Sequence, residues 1–325
     1  MDEHISRRSK LIRDVVARFN STPYIKDHII GDHRSESDFD KSFSYPEHIK
    51  STKLDMGAFR AELIENETCT TDYALLHLHG GGYVGAFKTN YRRMAGYYSE
   101  VSGGAPVLTP DYRVAPENIF PAALYDAVVS YDYLRGQGYS GDRIVLCGDS
   151  AGGGLAMALC RYLLDRDRQI PAGIVAMSPW TDLTASGASY RDNYDVDPVF
   201  GNSGDDLIFK NPYPGSTDRK HPYISPAYAD FGGFPPMLIQ VGTHEMLLDD
   251  SRTVRDAARE AGVLLRYTEY PGMFHVFQVA GTIMEESKKA WAEVGTFFKE
   301  IKRREKHDLS RENMIEREEE KNDLQ

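Results

Sequence analysis

Gly148-Asp149-Ser150-Ala151-Gly152 sets one hydroxyl between two residues that carry no side chain. An apolar run from Ile144 to Cys147 leads into it, and helical spacing from Ala151 leads out. In a strand-to-helix elbow of this kind the central residue takes a strained backbone angle, and flanking glycines avert collisions. The serine oxygen would project at the positive end of the following helix, where negative charge on it is favoured. The competing reading is a glycine-rich turn in which Ser150 only caps the helix.

A hydroxyl is a poor nucleophile until a base takes its proton. His275, in "YPGMFHVFQ", follows the last strand expected from the sequence and comes after the serine in chain order. A buried structural histidine would fit the same apolar surroundings, but a loop at a strand end favours the catalytic role. The base in turn needs an acid to hold its tautomer and stabilise the imidazolium. "LIQVGTHEMLLDDS" offers Glu245, Asp249 and Asp250. Glu245 falls where the strand gives way to a loop. The two aspartates read as the start of a helix, where carboxylates offset the dipole or cap the end. Ser150, Glu245 and His275 are therefore the expected catalytic residues.

Attack on a carbonyl leaves negative charge on its oxygen, and backbone N–H donors aimed there stabilise it. "LHLHGGGYVGA", Leu76 to Ala86, supplies a bare backbone directly after a strand. Gly81 and Gly82 are the expected donors, joined by the amide of Ala151. His79 would brace this loop by hydrogen bonding. No phosphate-binding glycine pattern occurs, and His77 and His79 lack a third ligand, so neither a cofactor nor a metal is expected.

These side chains need a scaffold. "YALLHLH", "APVLTPDY", "RIVLCG", "GIVAMSPW", "PMLIQVG" and "LLRYTEY" read as strands, with helical spacing from near Tyr91, Pro121, Ala151 and Asp249. Strands apolar throughout and separated by helices imply an α/β fold, a mostly parallel central sheet with helices on both faces. The interval 184–234 breaks the alternation and is rich in Gly, Pro, Asn, Asp and Tyr. An insertion that long usually serves as a lid or binding loop. The expected organisation is an N-terminal cap segment over 1–50, a catalytic domain over 51–303 holding that insertion, and a charged tail over 304–325. The tail reads as a solvated helical extension or frayed terminus. The last strand, Leu264 to Tyr270, should be an open edge that invites a second copy, so a homodimer is the assembly the sequence suggests.

The chain has 325 residues, with 38 basic and 49 acidic side chains and a net charge of −11. That balance discourages association with nucleic acid or anionic membrane surfaces. Three cysteines, Cys69, Cys147 and Cys160, give neither a disulfide framework nor a zinc site. No signal peptide or membrane span is read, which makes a cytoplasmic protein the expectation.

"HGGGYVGA", "DYRVAPENIFPAALYDAV", "GDSAGGGLA" and the Glu245–His275 pair, in this order, resemble the hormone-sensitive lipase family of α/β-hydrolases, the bacterial family IV esterases. The resemblance spans roughly Tyr73 to Phe298. It implies hydrolysis of carboxylic esters through Ser150, Glu245 and His275, with the glycine run as oxyanion hole and a helical cap over the site. The family usually carries aspartate where Glu245 stands, in a D-P-L-like context. The glutamate resembles a minority subgroup. "MSPWTDLTASGASY" also resembles the family, and implies that Trp180 and Asp182 support the site or cap hinge, with Tyr83 lining the acyl pocket and Trp180 beside it among the substrate-binding residues; core packing and an exposed cap of the following turn are the open alternative. Asp149 and Arg113 would orient the elbow and neighbouring loops. Small, relatively apolar esters or lactones are the expected substrates. The alternatives are an amidase or peptidase using the same residues, and a non-catalytic small-ligand receptor on this fold. The receptor form is marked by loss of the histidine, which is present here.

Overall fold

Val145, Cys147, Leu75 and Leu238 pack to one side of the central sheet, and their sequence neighbours Leu146, Leu76 and Ile239 pack to the other. A computed structural model of the chain, describing residues 5–20, 37–201 and 206–303, shows how that arises. The strands are β1 (Ile49–Asp55), β2 (Arg60–Asn66), β3 (Ala74–Leu78), β4 (Val107–Asp111), β5 (Ile144–Asp149), β6 (Gly173–Met177), β7 (Met237–Gly242) and β8 (Leu265–Tyr270). They form one sheet in the order β1-β2-β4-β3-β5-β6-β7-β8. β1 with β2 and β2 with β4 are antiparallel; every other pairing is parallel. This is the α/β-hydrolase architecture.

Every residue of β3, β5 and β6 is buried. Alternate side chains therefore need apolar cover on both faces, which crossover helices supply. The helices are α1 (Arg7–Asn20), α2 (Thr89–Ser102), α3 (Ala122–Gly136), α4 (Ala151–Leu164), α5 (Leu248–Glu260) and α6 over 285–303. Leu124, Leu155, Leu159 and Val254 of α3, α4 and α5 cover one face. Met94, Tyr98, Trp291, Val294 and Phe298 of α2 and α6 cover the other.

The hairpin β1–β2 departs from the sequence expectation, which placed no strand before Tyr73 and began the catalytic domain inside what is β1. The reason is physical: "IKSTKLD" lies at the sheet edge with most positions exposed, so it carries no apolar signal.

Parallel strands bring their carboxyl ends to one rim, where α/β proteins form their sites. The loops after β3, β5, β6, β7 and β8 all emerge there. Two further segments reach the same rim. Ile5, Ile12 and Val16 on or beside α1 pack with Tyr270, Phe274 and Phe277, and Arg13 donates to the Gly272 carbonyl at 3.1 Å. From the interval 184–234, Asn211 Nδ2 donates to the Gly82 carbonyl at 2.8 Å. The tail expected over 304–325 lies outside the described residues.

Candidate active site

Ser150 joins the end of β5 to the start of α4 at φ 54, ψ −125, a conformation that L-residues avoid unless the surroundings impose it. The surroundings do impose it. A Cβ on Gly152 would fall on the Leu78 carbonyl, one on Gly148 on the Gly152 carbonyl, and one on Gly154 on the Trp180 carbonyl. The first turn of α4 is thus wedged between the ends of β3 and β6. Ser150 N–H donates to the Met177 carbonyl at 2.9 Å, and its own carbonyl accepts from Trp180 N–H at 2.9 Å. Those bonds anchor the elbow to β6 on both sides.

His275 and Glu245 come from the loops after β8 and β7. The imidazole Nδ1 lies 2.9 Å from Glu245 Oε2. A carboxylate only accepts, so Nδ1 carries the proton and Nε2 remains as a base. Glu245 is fully buried, and its other oxygen accepts from Ser178 Oγ at 2.7 Å and from Gly242 N–H at 2.5 Å. Ser178 Oγ in turn accepts from Val276 N–H at 3.1 Å. Asp249 is turned elsewhere: it accepts from Ser189 N–H at 2.9 Å and pairs with Arg252. Asp250 accepts from the amides of Thr181 and Asp182, both at 2.7 Å.

Gly81 (φ 108) and Gly82 (φ 63) hold left-handed conformations that favour glycine. Among the described residues, the amides of Gly81, Gly82 and Ala151 donate no hydrogen bond within the protein. Beneath the loop, His79 donates from Nδ1 to the Gly80 carbonyl at 2.7 Å and stacks on Tyr112 at 4.2 Å. Burial pulls its pKa down to about 4, so it is a neutral brace. Ser150, His275, Gly81 and Gly82 line one cavity of about 360 Å³, together with Val84, Ala86, Lys88, Asn90, Tyr91, Phe200, Leu207, Val276 and Val279. Its wall is mostly apolar.

A family model described as the α/β hydrolase fold matches residues 75–279. An acetyl-hydrolase from Streptomyces hygroscopicus is 39% identical over 225 residues, 69% of this chain and 75% of the relative. An esterase from Acinetobacter venetianus is 33% identical over 251 residues, 77% and 82% of the two chains. Among solved structures, the hormone-sensitive lipase homologue EstE7 from a metagenome library superposes with a TM-score of 0.80 at 31% identity. That match covers 91% of this chain and 99% of that one. The chain belongs to the hormone-sensitive lipase-like esterases of the α/β-hydrolase fold. It is an enzyme of the carboxylesterase type.

Neither Tyr83, which the resemblance places in the acyl pocket, nor Trp180 lines the cavity of this esterase; both take the packing role that stood as the alternative. Tyr83 is 1% exposed, stacks on Tyr213 at 4.0 Å and abuts Gly154 with its hydroxyl. Trp180 is equally buried, with its indole N–H on the Asp182 carbonyl. Both are packing behind the site, because a family motif fixes a residue's place in the chain and not the direction of its ring. Asp182 organises the loop after β6 through Thr184 and Ser186. Arg113 is committed to Asp126 of α3 through a forked pair as short as 2.7 Å. Asp149 reaches the cavity wall.

Four residues near the site went unread in the sequence: Ser178, Asn193, Asp197 and Phe200. Ser178 had a faint signal, since it directly follows β6. The other three sit in the insertion, where nothing local marks which side chains turn toward the sheet. Among the described residues no helix is long and apolar enough to cross a membrane, and no three metal-ligating side chains gather.

Proposed function

We propose that this esterase hydrolyses small, relatively apolar carboxylic esters or lactones through Ser150, His275 and Glu245. The observation that carries the reading is the buried 2.9 Å contact of His275 with Glu245, opening onto the cavity that also holds Ser150 at its strained elbow. Ser150 Oγ attacks the acyl carbon as its proton passes to His275 Nε2. Glu245 stabilises the imidazolium, and the amides of Gly81, Gly82 and Ala151 receive the negative oxygen. Collapse of the tetrahedral species breaks the acyl–oxygen bond, and His275 returns the proton to the departing alcohol. Water then attacks the acyl-serine with His275 again as base, releasing the carboxylic acid and restoring the serine. The N-terminal segment and the interval 184–234 act as the cap that bounds the acyl pocket. A cavity of about 360 Å³ with an apolar wall supports short acyl chains.

The test is turnover of p-nitrophenyl esters of increasing chain length by wild type and Ser150→Ala, with fluorophosphonate labelling. The expected result is labelling of Ser150, best turnover at short chains and an inert Ser150→Ala. An unlabelled Ser150 in folded protein overturns the reading.

A further inference from the structure

We propose that Asp197 is a positioning residue for His275: its carboxylate ties the loop that carries Glu245 to the stretch of the insertion that seats Phe200 on the imidazole. Asp197 is 3% exposed. One oxygen accepts from Met246 N–H at 2.7 Å, and Met246 directly follows Glu245 in the chain. The other oxygen accepts from Val199 N–H at 2.7 Å and Phe200 N–H at 3.1 Å. The Phe200 ring lies 4.7 Å from the imidazole, tilted by 54°, and also faces the cavity. One carboxylate therefore holds both what the imidazole hydrogen-bonds to and what it packs against.

Neighbouring bonds bind the same two segments. Asn193 Nδ2 donates to the Thr243 and Glu245 carbonyls at 3.0 and 2.7 Å, and Ser189 Oγ donates to the Met246 carbonyl at 2.7 Å. Asp197 differs from these because it brings a charge. Burial raises its pKa, and even with the three amides and nearby His275 drawing it down it stands at about 6. The carboxylate, held by three N–H groups, thus sets a second acidic group near the imidazole alongside Glu245. Seating the insertion and aligning the base are thereby one event.

This inference rests on the ester-hydrolase reading, and the experiment separates the two. Absence of Ser150-dependent turnover in wild type would defeat that reading; the present inference is judged on active wild type. In Asp197→Asn the shape is kept, but an amide nitrogen must face N–H donors and the charge is gone. The expected kcat for p-nitrophenyl acetate falls by roughly 10- to 100-fold with KM within about threefold, as for a misplaced catalytic group. The acid limb of kcat/KM moves to lower pH, because a negative neighbour of the imidazolium is lost. Phe200→Leu opens the ring to water, favours its charged form, and moves the same limb to higher pH. General loosening would not produce opposite displacements. Limbs that stay in place or move in the same direction overturn the proposal, as does an unchanged kcat in Asp197→Asn. If Asp197→Asn does not fold, Phe200→Leu decides alone: a limb moved to higher pH supports the proposal, and an unmoved or lowered one overturns it.

Discussion

Glu245 gives one oxygen to the imidazole and the other to the framework. A glutamine there cannot serve both sides, since its NH₂ must face either the Nδ1 proton or the two donors at Ser178 and Gly242. Glu245→Gln is therefore expected to lower kcat by roughly 10⁴-fold, the scale seen when a triad histidine loses its tautomer-fixing acid. Asp249→Asn should leave kcat within a few-fold, because that carboxylate serves Ser189 and Arg252. Steady-state kinetics on both variants decides, and the reverse pattern would transfer the acid's role to Asp249. The proposed trio was readable in the sequence because Ser150 directly follows the buried β5, Glu245 closely follows the buried β7, and His275 stands in the loop after the half-buried β8. Asp197 and Phe200 reach His275 only after a long irregular excursion. "DVDPVFG" contains turn signals but nothing that points at an imidazole.

The elbow element depends on the missing side chain of Gly152. Any Cβ there would meet the carbonyl of Leu78, the last residue of β3, and that of His79 just beyond it, which Tyr112 holds. Gly152→Ala should cost more than the usual overpacking penalty of about 1–3 kcal/mol, with both Tm and Ser150 labelling falling. Gly96 lies within α2 and has open space where a Cβ would be. Gly96→Ala should instead stabilise by about 0.5–1 kcal/mol through helix preference alone. Thermal melts of the two variants check the pair: opposite signs are expected, and two losses of equal size would show that helix α4 is not wedged as described. Glycines in the motif mark a tight place in the sequence. Only packing reveals that Gly152 clears a carbonyl of β3 while Gly154 clears one beyond β6.

At the scale of the whole molecule, the parallel half of the sheet was legible and the antiparallel edge was not. β3, β5, β6 and β7 are buried end to end and read as mostly apolar runs. β1 is polar because one side of it meets water. What fastens this edge is a charge inside. Arg92 of α2 is 1% exposed, donates to Glu62 of β2 at 2.7 Å, and donates to the carbonyls of Asp38, Phe39 and Lys41. Arg92→Met would leave Glu62 with the hydroxyls of Ser51 and Tyr45 but no cation, and would free those carbonyls, so a loss of about 3–5 kcal/mol is expected in urea unfolding. Adding Glu62→Leu should recover part of it, since replacing both partners removes the buried charge. Farther along the sheet, after β6, Ser178 plays a comparable part with a single hydroxyl. It donates a hydrogen bond to Glu245 beyond one strand end and accepts one from Val276, next to His275, beyond another. It also directly follows Met177, whose carbonyl accepts from the Ser150 amide. Three separate strand ends thus share one rivet. Fraying at any of them would disturb the proposed nucleophile, base and acid together, so the three proposed groups share one point of failure.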